Sequence, residues 1–161
     1  MENTLINSFF DTNESSFKLW TPASSKKAKK ERPVLTSDFL KRSKQSSVLT
    51  KRSFILTENH LFYRKISDGD KIRGAMKLEW VRAEFYAPGE AGRIDEFEDT
   101  KDMYVIKFIR NMKFTEIFTE EKEVFHKWRL ALRKLIIVTD FHQEFEVLKL
   151  IGKGSFARVR I

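Results

Sequence analysis

No cysteine occurs in the 161 residues, so disulfides, thiolate metal sites and a cysteine nucleophile are excluded. The only histidines are His60, His126 and His142, far apart and without the spacing of metal ligands. No apolar run reaches the roughly 18 to 20 residues that span a bilayer. The N-terminus lacks a basic patch followed by an apolar stretch, which argues against a signal peptide. Glu2 stands where N-myristoylation requires glycine. The expectation is a cytoplasmic protein with reversible, peripheral membrane association.

What is present has a basic cast. A formal net charge of +8 favours anionic partners: inositol phosphates, anionic lipid surfaces, nucleic acid or acidic proteins. The same charge would also serve solubility alone. Residues 1–33 are rich in Asn, Ser, Thr and Lys, with Phe9, Phe10, Phe17 and Trp20 scattered among them. Such a stretch buries too little to offset the entropy of ordering, so a disordered tail is expected. Its cluster Lys26, Lys27, Lys29, Lys30 and Arg32 has the composition of a nuclear-import signal or a membrane-surface anchor, though such a run is more often a solvated tail with no specific reader. Pro33 marks the boundary.

From Val34 the pattern changes. Apolar runs at 36–43, 51–57, 61–65, 73–79, 81–86, 103–110 and 113–118 alternate with polar turns. Phe54/Leu56, Leu61/Tyr63 and Tyr104/Ile106/Phe108 have period two, which marks half-buried antiparallel strands. Thr57–His60 and Ser67–Asp70 read as turns, and 87–102 as a long, mobile acidic loop. After Thr119, a natural N-cap, Glu120, Glu121 and Glu123 open a helix over 120–137. Val124, Trp128, Ala131 and Leu135 share its apolar face, widened by Leu132. Trp80 and Phe85, like Trp128, read as packing residues.

The expected fold class is mainly β (α+β), a seven-stranded, partly open β-barrel capped by one C-terminal α-helix. In order and spacing, Phe39-Leu40-Lys41-Arg42, Lys51-Arg52-Ser53-Phe54-Ile55-Leu56-Thr57, Leu61-Phe62-Tyr63 and a helix bearing Trp128 and Ala131-Leu132 resemble the pleckstrin-homology (PH) superfold over 34–138. The glycine that commonly opens its first strand is absent, and Ser37 and Asp38 stand there.

The resemblance implies a phosphoinositide site on the first two strands, because phosphate monoesters require several fixed cations around them. It points to Lys41, Arg42, Lys44, Lys51, Arg52 and Arg64, with Lys65 beside the last. Thr50 occupies the first basic position of the family's second-strand pattern, a departure from tight headgroup binding. Lys51 and Arg52 point to opposite faces, so one alone lines the pocket, and Arg52 is favoured. The alternative is a protein-binding or autoinhibitory module without a specific lipid. Specific nucleic-acid binding is not expected, because the acidic loop opposes it.

Near the C-terminus, Phe145 to Leu150 followed by Ile151, Gly152, Lys153, Gly154, Ser155, Phe156, Ala157, Arg158 and Val159 resembles the first strand and glycine-rich loop of eukaryotic (AGC-like) Ser/Thr protein kinases. The resemblance implies that Gly152 and Gly154 cradle ATP phosphates, Phe156 caps the loop, and Ile151 and Val159 pack on adenine. Ala157 replaces the third glycine. The start of a kinase domain over 145–161 is thus expected, without its catalytic residues. This chain alone would use no cofactor; ATP and Mg would enter with a complete kinase domain, itself a candidate partner in cis.

Overall fold

The computed structural model describes residues 18–138 except 24, 44, 45 and 70, leaving Lys44 and the whole kinase-like segment 145–161 outside the described residues. Among the described residues eight strands form one sheet: β1 (Leu35–Arg42), β2 (Leu49–Leu56), β3 (His60–Lys65), β4 (Ile72–Lys77), β5 (Arg82–Tyr86), β6 (Tyr104–Arg110), β7 (Lys113–Thr119) and β8 (Ile137–Val138). Their order is β4-β3-β2-β1-β7-β6-β5-β8. β1 pairs with β2 over its full length, from Leu35↔Leu56 to Arg42↔Leu49, but meets β7 only at Leu40↔Phe118 and Lys41↔Ile117. β1 is therefore the corner at which the sheet folds over on itself. The sheet ends at β4 and β8, so the barrel stays partly open.

The seven expected strands all form, because each carries one apolar residue per pleat toward a shared interior. The eighth was not anticipated. It arises because the helix α2 (Lys122–Arg133) stops four residues before the expected end, and Ile137–Val138 pair in parallel with Arg82–Ala83. Thr119 is the last residue of β7 and no N-cap. Its Oγ1 accepts the Glu121 N–H at 3.1 Å, and Glu121 is the residue that precedes the helix. The buried helix face runs through Phe125, Trp128 and Leu132.

Trp128 is fully buried and plugs the barrel, its ring edge-on to Phe39 at 5.0 Å and its Nε1–H donated to Ser37 Oγ at 2.8 Å. Phe85 is also buried, whereas Trp80 is 85% exposed. Trp80 takes the left-handed corner (φ 64°) of the turn closed by Val81 N–H to Leu78 O, which directs its side chain outward.

Of the segment expected as a tail, residues 1–17 lie outside the described residues, and those described from Lys18 onward run along the barrel. Leu19 is buried in the main core. Thr21 and Ala75 exchange two backbone hydrogen bonds of 2.9 Å, placing a short strap on the outer edge of β4. The helix α1 (Ser25–Lys29) follows, with Ala23 and Ala28 packed on a second apolar cluster of Phe62, Ile72 and Ala75. Glu31 then accepts from Thr57 Oγ1 at 2.8 Å and lies 2.7 Å from His60 Nδ1. Isolated apolar residues thus become ordered because the barrel offers a preformed surface. Among the described residues no helix is long and apolar enough to cross a membrane.

Candidate functional site

Three neighbouring strands share one arrangement on their inner face. Two residues along from a core aromatic stands a cation: Lys41 beyond Phe39, Arg52 before Phe54 and Lys65 beyond Tyr63. Arg52 pairs directly with both Phe39 and Lys65 across the strands. The core therefore turns from aromatic to cationic within one pleat. A cleft of about 410 Å³ opens there, lined by Trp20, Lys41, Arg42, Ser43, Thr50, Arg52, Tyr63, Lys65 and Arg73. Among the described residues no carboxylate lines it.

Aromatic rings form the floor. Trp20 meets Tyr63 edge-on at 4.8 Å and donates Nε1–H to Thr115 Oγ1 at 3.2 Å. Lys41 Nζ sits 5.3 Å from the Tyr63 ring centre and 5.9 Å from that of Trp20, so ring quadrupoles help fix its ammonium. Tyr63 in turn lies over Gly74, where a Cβ would overlap its ring.

The six candidate lipid contacts divide. Lys41 and Arg52 line the cleft. Arg42 borders it, but its guanidinium is held by both oxygens of Asp99 at 2.6 and 3.2 Å, by Ser47 O at 2.7 Å, and lies 4.1 Å over Phe97. That contact also fastens the acidic loop, as does Arg93, which donates to the carbonyls of Thr100 and Met103. Lys51 faces the opposite side of β2 and is exposed. Arg64 likewise alternates away and donates to Gly69 O at 3.0 Å. Lys44 lies outside the described residues.

Trp20, Tyr63 and Arg73 were not anticipated. Choosing Lys65 over Arg64 required only the register, since Arg52 fixes which face of β3 is inward. Arg73 had no such signal, because a bulge at Tyr63/Arg64 shifts the register of β4.

A second cleft of about 260 Å³ lies between the β1–β2 hairpin, the outer face of β7 and the acidic loop, with Phe97, Phe114, Asp95 and Glu116 among its walls. Burial raises the Glu116 carboxyl above its ordinary range, and the cross-strand partner Lys107 opposes this only in part. The Arg42 hydrogen bond holds Asp99 below its ordinary range. Mixed charge makes this cleft a poorer anion site than the first. Among the described residues no cluster of His, Asp or Glu could hold a metal ion.

No family model matches the chain, and no curated protein does. Solved structures do. The C-terminal PH domain of human pleckstrin superposes with a TM-score of 0.51 at 17% identity, covering 66% of this chain and 89% of that one. A solution structure of the same human domain gives 0.50 at 18% identity, covering 65% and 80%. At such identity the likeness speaks for architecture alone, and the barrel-and-helix unit described here has the fold of a pleckstrin-homology domain.

Proposed function

We propose that the chain is a binding module that recruits its protein to phosphoinositide-bearing membranes on the cytoplasmic side, holding the phosphorylated headgroup in the cationic cleft. One observation carries this reading: Lys41, Arg52, Lys65 and Arg73, from four successive strands, line one cleft. A polyphosphate ligand needs several fixed cations, and here they stand on paired strands above a packed core, so little ordering remains for binding to impose. Thr50 leaves one position hydroxylic instead of cationic, which suits moderate affinity.

Arg52→Ala is the direct test. A charge-assisted hydrogen bond is worth about 1.5–3 kcal/mol, so binding to phosphoinositide vesicles should fall roughly ten- to a hundredfold and wild-type binding should weaken with salt. Undiminished vesicle binding by the variant would remove the cleft from the mechanism.

The wider context we propose is the regulatory N-terminal part of a Ser/Thr protein kinase. It is supported by the glycine-rich pattern of residues 151–159 alone. Coding DNA downstream of Ile161 that encodes His-Arg-Asp and Asp-Phe-Gly would support it, whereas a stop codon there would end it.

A further inference from the structure

We infer that α1 and the residues after it form a second membrane contact, a cationic facet for abundant anionic phospholipids such as phosphatidylserine, separate from the headgroup cleft. Five residues do not make a stable helix alone, so α1 persists because the barrel pins it on both sides. Before it, Thr21 pairs with Ala75; after it, Glu31 engages His60 and Thr57; between them Ala23 and Ala28 sit on Phe62, Ile72 and Ala75.

What this pinning displays is charge of one sign. Lys26, Lys29, Lys30 and Arg32 are exposed, and no described carboxylate pairs with any of them. Glu31, the only acid between 18 and 32, bonds to His60 and Thr57. Lys26 and Lys29 are helix neighbours whose repulsion opposes the helix they stand on. A fixed array of like charges, paired with no carboxylate among the described residues, suits an external polyanion.

Its location favours a bilayer. Ser25 Oγ accepts the Ile72 N–H at 3.2 Å, which sets the start of α1 beside Lys71 and the cleft-lining Arg73. The charged surface thus continues to the rim of the cleft. Two exposed apolar residues adjoin cleft residues in the sequence: Val48, 57% exposed, two before Thr50, and Ile66, 50% exposed, directly after Lys65. Apolar side chains among cations suit the headgroup–acyl boundary and add nothing to a phosphate backbone.

The test uses the full chain carrying Lys26→Gln, Lys29→Gln and Lys30→Gln together, exposed changes that relieve repulsion. Probes are phosphatidylcholine vesicles with and without phosphatidylserine, soluble inositol trisphosphate, and a short duplex DNA. The variant should lose roughly tenfold or more in affinity for phosphatidylserine vesicles and keep wild-type binding of inositol trisphosphate. Arg52→Ala should show the reverse. Equal binding of wild type and variant to phosphatidylserine vesicles overturns the facet, as does wild-type preference for DNA over vesicles. If wild type fails to bind inositol trisphosphate, the cleft reading falls, while the vesicle comparison still decides the facet.

Discussion

Gly74 and Glu116 show how narrowly single side chains are fitted around the two clefts. Added at Gly74, a Cβ would overlap Tyr63 Cε1 and lie 3.0 Å from Cζ, so the ring that floors the cationic cleft would have to move. Gly74→Ala should destabilise by about 1–3 kcal/mol, the usual cost of overpacking, and should weaken inositol trisphosphate binding. A urea titration and calorimetry read the two effects, and an unshifted midpoint would mean that Tyr63 yields without cost. Glu116 works through pH. Its carboxyl is raised by burial, so the folded state holds the proton more tightly than the unfolded one. The associated stability is fully present below the ordinary glutamate range and is lost as pH rises through the folded value. Glu116→Gln should therefore match wild type in acid and become the more stable protein toward neutral pH. Urea midpoints measured across that range check the sign, and a gap that narrows with rising pH would refute it.

The N-terminal strap is the element that was least legible in the sequence. The barrel strands announce themselves through apolar runs between polar turns, several of them alternating, and α2 through a repeating face. The strap offers only Leu19 and Trp20, whose partners lie far along the chain: Thr21 meets Ala75 across 54 residues and Trp20 meets Thr115 across 95. One hint was present. Ile55 and Phe62 break the alternation of β2 and β3, and both belong to the apolar cluster that α1 covers on the outer face. Leu19→Ala should cost about 2–5 kcal/mol, as for other buried leucines, by chemical unfolding. A loose tail would show no change. The end of α2 escaped for a different reason: the apolar residues Leu135, Ile136 and Val138 extend the pattern, but the last pairs with Ala83 as strand.

Across the whole molecule, the succession of strands and the closing helix are legible from period, the architecture from the resemblance that they carry, and the opposite facing of Lys51 and Arg52 from alternation. Which cations meet is not, since that depends on the β3 register, on the bulge before β4, and on Asp99 reaching Arg42 from a loop 57 residues away. The two ends of the sheet have a further consequence. β4 is bordered by the strap at Thr21, and β5 by β8, so neither is left as a long bare edge. Exposed edges are templates for pairing with another chain. A version beginning at Val34 would uncover the Ala75 edge together with Phe62, and light scattering should then report self-association that the full chain resists. On that outcome, the short segment that carries the basic cluster also guards against aggregation.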